Sequence, residues 1–311
     1  MAGVSAGDVF IGAPMHGITL RLWRNTFARF FSSPQVAVSP FISTVSGVRV
    51  KPALLEDVDL QREQRIPVIP QVIGKDAEEL RVMLAALKQQ GHVRVDLNAG
   101  CPWPMVAKKG RGAGLMRTPE RLAELLRVGC EELPGGFSLK IRLGFSAPDE
   151  LFDLMPLIND APLCEVAIHA RTARQMYEGT VDLDAFAAAA AACRHPVVYN
   201  GDIFTLADWQ RLKARFPHVT RWMVGRGALA DPFLFEELQR GESVVRDPAR
   251  IVAWSEAYAE ASLQETGNAP AALGRLKEMW GYLTGKQGRT WRALRLCRTL
   301  DEFRRIATAS R

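Results

Sequence analysis

Short apolar runs punctuate the chain, and most are followed by a turn and then by a stretch whose apolar positions repeat at helical spacing. The runs are DVFIGAPM, QVAVSPFI, IPVIPQVIG, VRVDLN, FSLKIRLG, EVAIHAR, HPVVYNGD and RWMVGRG, starting at Asp8, Gln35, Ile66, Val93, Phe137, Glu165, His195 and Arg221. Helix-like segments such as 77–90, 119–133 and 206–216 lie between them. Short strands alternating with helices indicate parallel βα units. Eight such units over roughly 240 residues predict an α/β chain folded as a (β/α)8 TIM barrel. An open doubly wound sheet fits less well, because no GxGxxG follows the first run. The stretch 45–65 lacks helical periodicity and reads as an irregular insertion. After Phe235 the alternation stops, Gly241 and Pro248 break the pattern, and 251–311 is rich in Ala, Leu, Glu and Arg with no strand-like run. The expected division is a barrel over 1–240 and a small all-helical domain over 241–311.

Composition changes this picture little, and charge changes it more. At 311 residues and 34.4 kDa, 48% hydrophobic and 24% charged, the chain has the profile of a folded globular protein. Its five cysteines, Cys101, Cys130, Cys164, Cys193 and Cys297, form no CxxC pair, so a disulfide framework is not expected and a reducing cytoplasm is. The stretch MAGVSAGDVFIGAPMHG has neither an early basic residue nor a long apolar core, so no signal peptide is expected. The small-residue run ending at Cys193 is too short to cross a bilayer, and no membrane association is expected. The net charge of +6 is concentrated: residues 275–311 carry ten Lys or Arg and three Asp or Glu, against 30 and 31 in the remainder. A neutral body with a basic tail suits a polyanion such as nucleic acid. A solvated helix surface on an ordinary enzyme would carry the same charges.

In a barrel the active site forms at the C-terminal ends of the strands. The unusual residues fall there in turn: Pro14-Met15-His16, Gln71, Asn98 with Cys101, Lys140 with Arg142, His169 with Arg171, Asn200-Gly201-Asp202, and Gly225-Arg226-Gly227. Lys140 sits inside FSLKIRLG, where alternation aims it into the barrel and burial is costly without an anionic partner. The glycine turns at 200–202 and 225–227 follow the last two runs, the usual place for a phosphate site in this architecture. A flavin mononucleotide satisfies both ends, with its phosphate at the turns and its ring beside Lys140 and Gln71. Cys101, between a strand-like run and the basic loop of Lys108, Lys109 and Arg111, is compatible at this point with a nucleophile, a metal ligand or a redox centre.

With these residues assembled, the chain resembles the tRNA-dihydrouridine synthases of bacterial type, the C subfamily being the branch kept in view. The resemblance runs through APM at 13–15, PVIPQVIG at 67–74, VDLNAGCP at 95–102, KKGRGAGLM at 108–116, KIRLG at 140–144, HARTARQMYEG at 169–179, YNGDI at 199–203 and VGRGAL at 224–229. It implies FMN held by Ala13, Pro14, Met15, Gln71, Lys140 and His169, with the phosphate on Asn200, Gly201, Asp202, Gly225 and Arg226. It implies Cys101 as the general acid that protonates uracil C5 while hydride from reduced flavin reaches C6, with NADPH reloading the flavin. It makes tRNA the partner, without metal, on a monomer. The expected RNA contacts are Asn98, Lys108, Lys109, Arg111, Arg171, Arg174 and Tyr177, with Arg275 and Lys277 from the tail. Arg289, Arg292, Arg295 and Arg298 step around a helix, so only some of the tail cations are expected to reach RNA. Three positions depart from the family pattern: Ser39 stands where an acid is common, His16 where a small residue is usual, and Trp103 follows the Cys-Pro pair.

Uridine reduction in the tRNA D-loop is thus the leading expectation, at position 16 in preference to 20. Two others remain open. An FMN barrel acting on a free pyrimidine needs no basic tail, and a tRNA-binding chaperone needs no Cys101, Lys140 and His169.

Overall fold

The computed structural model describes residues 7–47 and 49–309. Residues 1–6 of the stretch read as carrying no signal peptide, and Ser310 and Arg311 of the basic tail, lie outside the described residues. The strands are β1 (Val9–Gly12), β2 (Val36–Val38), β3 (Ile42–Ser43), β4 (Val68–Ile69), β5 (Gln71–Ile73), β6 (Val95–Ala99), β7 (Phe137–Gly144), β8 (Val166–Thr172), β9 (Val197–Asn200) and β10 (Arg221–Val224). They make one parallel sheet in the order β3-β5-β6-β7-β8-β9-β10-β1-β2-β4.

Among the described residues ten strands rather than eight arise because two of the predicted runs are broken at proline. Pro40 separates β2 from β3 and Pro70 separates β4 from β5, since proline has no N–H for the ladder. β2 pairs with β4 and β3 with β5, so each broken run still fills one strand position. β1 pairs with both β10 and β2, and the ring closes as an eight-position barrel. Ser39 stabilises the break: its hydroxyl accepts from the Gln71 amide at 3.0 Å and donates to the Pro40 carbonyl at 3.0 Å.

Around the barrel run α1 (Arg21–Phe30), α2 (Ala77–Gln89), α3 (Pro104–Ala107), α4 (Pro119–Glu132), α5 (Glu150–Asp160), α6 (Leu183–Ala192), α7 (Leu206–Arg215), α8 (Arg226–Ala230) and α9 (Leu234–Arg240). Among its described residues the expected irregular stretch 45–65 holds only a single 3-10 turn, at Pro52–Leu54. Local chemistry sets the helix ends: Asp76 accepts from Glu79 N at 3.0 Å to start α2, and Thr205 with Asp208 forms a capping box on α7. Four helices follow: α10 (Pro248–Thr266), α11 (Ala269–Leu283), α12 (Gly288–Leu296) and α13 (Leu300–Ala309). Gly267, at φ +59°, ends α10 in the left-handed region, and Asn268 caps α11 immediately after it.

Period-two alternation sorts the strand side chains. On β6, Val95, Leu97 and Ala99 join the apolar shell beneath the helices, while Asp96 and Asn98 turn inward. On β7 the outward set is Phe137, Leu139, Ile141 and Leu143, leaving Ser138, Lys140 and Arg142 inside. Register aligns Asp96 with Ser138, Asn98 with Lys140, and Arg142 with His169, so the polar residues form adjacent tiers. A small inner apolar plug of Ile11, Ala13, Val38, Ile69, Ala167, Val198 and Met223 fills the remaining interior. The helical segment shares the outer core: Trp254 of α10 stands edge-on to Phe27 and Phe31 at 5.6 and 5.3 Å. Among the described residues no helix is long and apolar enough to cross a membrane.

Candidate active site at the barrel mouth

A cavity of about 510 Å³ opens at the C-terminal ends of the strands, within the range of small-molecule and cofactor sites. All eleven residues expected to hold the cofactor line it, from Ala13, Pro14 and Met15 through Gln71, Lys140 and His169 to Asn200, Gly201, Asp202, Gly225 and Arg226. Asn98, Cys101 and Tyr177 line it as well.

Its central side chains are joined by a directional hydrogen-bond chain. Ser138 Oγ donates to Asp96 Oδ1 at 2.8 Å, and Gln71 Nε2 donates to Asp96 Oδ2 at 2.7 Å. Asn98 Nδ2 donates to Gln71 Oε1 at 2.8 Å, and Asn98 Oδ1 accepts from the backbone N–H groups of Gly100 and Cys101 at 3.1 and 2.8 Å. Every member is buried, so the acceptor-only carboxylate of Asp96 fixes which way both amides face. Burial pushes the Asp96 carboxyl up to about 6, against the hydrogen bonds from Gln71 and Ser138. Asn98 therefore acts first as the brace of the cysteine loop, leaving one N–H for the cavity.

Cys101 is nearly buried, and burial raises its thiol above the ordinary range despite nearby Arg142 and Lys140. The sulfur is thus held as a thiol, suited to giving up a proton. Gly112 packs beneath the loop at φ +56°, where an added β-carbon would come within 2.9 Å of Cys101 Cβ and O. Arg142 clamps the loop from above: Nε donates to the Gly100 carbonyl at 2.9 Å and Nη1 to the Thr172 and Met176 carbonyls at 2.8 Å. Lys140 Nζ donates to Asn200 Oδ1 at 2.8 Å, and burial lowers its ammonium to about 8. Asn200 is oriented by its donation to the Met223 carbonyl at 2.9 Å. His169 is held well below its ordinary value by burial and by the cations Arg142, Lys140, Arg171 and Arg226, so it stands neutral.

At the other end of the cavity the glycines are sterically required. A β-carbon on Gly227 would lie 1.9 Å from the Ile203 carbonyl oxygen, and Gly201, at φ +148°, would meet Val181 at 2.9 Å. The short α8 starts at Arg226, directly after Gly225. Arg226 Nη2 pairs with Asp202 Oδ1 at 2.7 Å. The Asp202 carboxylate would repel a phosphate, so its own contribution is to orient Arg226 and to offer its backbone. These groups fit FMN: a tight glycine cradle with a guanidinium at one end, and a lysine with a braced amide at the other.

The expected RNA contacts divide. Lys108, Lys109 and Arg174 are exposed, without ion-pair partners among the described residues, and Tyr177 is 40% exposed with Arg226 4.9 Å from its ring centroid. Arg111 leans on Glu79 at 3.6 Å, and Arg275 pairs with Glu265 at 3.0 Å. One expectation is corrected. Arg171 is 1% exposed and donates to Asp202 and to the carbonyls of Glu178 and Gly179, so it braces the mouth from inside and does not meet RNA phosphate. Lys277 Nζ donates to the carbonyls of Arg295 and Cys297 at 3.1 and 2.5 Å, closing the C-terminal end of α12.

Sequence reasoning placed Arg142 at the mouth without a role and left Asp96 out of the site, although each shares the inward face of its strand with a residue that was chosen. It also missed Glu278, Tyr282 and Lys286, which reach the cavity from the helical segment. The four-residue spacing of Glu278 and Tyr282 marks one helix face, but nothing local says that this face meets the barrel mouth. His16 and Trp103, the departures from the family pattern, both line the cavity, His16 stacked on Phe41 at 4.7 Å.

Comparison with known proteins gives a consistent result. Residues 11–301 match the profile of the family described as "Dihydrouridine synthase (Dus)". The "tRNA-dihydrouridine(16) synthase" of Neisseria meningitidis serogroup A is 27% identical, over 96% of this chain and 93% of its own. A "Probable tRNA-dihydrouridine synthase" of Rhodobacter capsulatus is 32% identical, over 73% of this chain and 69% of its own. Among solved structures, the old yellow enzyme homologue from Zymomonas mobilis superposes with a TM-score of 0.57 at 9% identity, over 79% of this chain and 93% of its own, a likeness of fold.

Proposed function

The chain belongs to the dihydrouridine synthase family, and from that premise we propose that it is a flavin-dependent tRNA-dihydrouridine synthase using FMN and NADPH, with uridine 16 of the D-loop as its target. The observation that carries this reading is a buried Cys101, whose burial disfavours the thiolate, on the wall of the cavity that also holds Lys140 and the glycine cradle at Gly201, Gly225 and Gly227. The names of curated relatives support position 16 over 20.

Ala13, Pro14 and Met15 support the ring, Gln71 and Lys140 meet its polar edge beside the neutral His169, and Arg226 with the backbone at 200–202 and 225–227 holds the phosphate. When bound, the flavin supplies hydride for uracil C6. Cys101 gives its proton to C5 as negative charge develops there, and Asn98 and Arg142 keep the cysteine loop fixed for that transfer. The target base leaves its stack to enter the cavity, with Tyr177 and the 55%-exposed Trp103 at the mouth as stacking surfaces. Residues 241–311 serve as the tRNA-recognition domain. Five free cysteines accord with a cytoplasmic monomer in a reducing compartment.

The test is a reoxidation assay. Protein reconstituted with FMN and reduced by NADPH should be reoxidised by unmodified tRNA, with dihydrouridine mapping to position 16. Cys101→Ala should cut turnover about 10²–10⁴-fold while tRNA binding persists. Failure to acquire flavin absorbance, or reoxidation by free uracil and not by tRNA, overturns the reading.

A further inference from the structure

The helical segment does more than flank the cavity, because α11 sends Glu278 and Tyr282 into its lining and Lys286 follows just beyond the helix end. The lining contains two acids, Asp202 and Glu278. Asp202 is engaged by Arg171 and Arg226. Glu278 is exposed to the cavity, with no hydrogen bond or ion pair among the described residues. It overhangs the loop after β1: its Oε2 lies 3.9 Å from where a β-carbon on Gly17 would sit. The other charged side chains facing the cavity, Lys140, Arg142, Arg226 and Lys286, are cations.

A lone carboxylate in a cationic mouth repels a polyanion and weakens its approach. It serves recognition only by meeting a donor. Uracil presents a single ring donor, N3–H, flanked by the acceptors O2 and O4. A site that reads it needs an acceptor as well as donors, and the cavity that Glu278 lines also holds donors in the braced Asn98 amide, Lys140 and Lys286. We propose that Glu278, carried on α11, accepts the N3–H of the extruded uracil and so determines the base on which the enzyme acts. The helical segment then completes the pocket as well as binding the tRNA. This inference rests on the proposed uridine reduction.

Three tRNAs carrying uridine, 3-methyluridine or 2′-deoxyuridine at the target position separate the possibilities, with kcat/KM measured for wild type, Glu278→Ala and Glu278→Gln. Wild type should prefer uridine to 3-methyluridine at least about tenfold, as loss of a charged hydrogen bond implies. Glu278→Ala should lower uridine turnover by a similar factor and erase that preference. Glu278→Gln, whose amide oxygen can still accept, should keep most of it. Equal losses on uridine and 3-methyluridine overturn the proposal, as does a loss of discrimination confined to 2′-deoxyuridine, which would assign Glu278 to the ribose. A wild type that reduces no tRNA uridine at all overturns the underlying reading, and this inference with it.

Discussion

Two groups of arginines separate the barrel mouth from the outer helices. Arg142 and Arg171 are at most 2% exposed, and each donates to several fixed acceptors, mostly backbone carbonyls. Arg289, Arg292, Arg295 and Arg298, on and just after α12, are exposed, and their guanidinium groups lack any acidic partner within 4 Å among the described residues. The same side chain therefore has two uses. Where carbonyls converge and water is excluded, guanidinium is a structural clamp with five directed donors. Where water is abundant it remains a mobile charge whose value depends on a polyanion arriving.

The most severe way to break this contrast is to remove a clamp. Arg171→Met leaves Asp202 with Arg226 alone and strips the Glu178 and Gly179 carbonyls of their donor, so denaturant unfolding should show a loss of about 3–5 kcal/mol. A loss under about 1 kcal/mol, the scale of an exposed ion pair, would mean that the clamp is dispensable.

Neutralising the outer set sharpens the other half. Arg289, Arg292, Arg295 and Arg298 changed together to Gln should leave the melting temperature nearly unchanged. tRNA affinity should fall roughly a hundredfold at physiological salt, and the salt slope should shrink by about 0.7–0.9 for each phosphate that is no longer neutralised. An unchanged slope would show that α12 faces away from the RNA.

The smallest effect concerns Lys140, an interior cation that titrates. Burial lowers its ammonium to about 8, so the charge is full below that pH and is lost as pH rises through it. Affinity for FMN, measured by flavin fluorescence, should weaken several-fold between pH 7 and 9, and Lys140→Met should flatten that dependence. A pH-independent affinity in the wild type would detach Lys140 from the cofactor.

The residues explain which parts of the molecule were legible. The barrel could be read because alternation on β6, β7 and β8 is strict, and the same alternation aims Lys140 and His169 inward. The glycine turns were legible because a β-carbon is excluded there. Arg171 was misassigned because a charge near a loop looks the same in sequence whether it turns outward to RNA or inward to Asp202. The donation of Lys277 to carbonyls at the end of α12 was not legible, because backbone groups leave no mark on composition. The split of two strands follows from Pro40 and Pro70, visible residues whose effect depended on the register of their neighbours.

By itself the amino-acid sequence determined the order of βα units, the faces of the strands, the place of Cys101 between a strand-like run and a basic loop, and the basic surplus of the tail. These rest on short-range periodicity and on the chemistry of single side chains. Only the tertiary structure decided which cations are bound inward and which stay free, how the Asp96–Gln71–Asn98 chain braces Cys101, and that α11 brings Glu278 over the barrel mouth. Those outcomes depend on contacts between residues tens to hundreds of positions apart, brought together by burial of a shared apolar core that has little directional preference of its own.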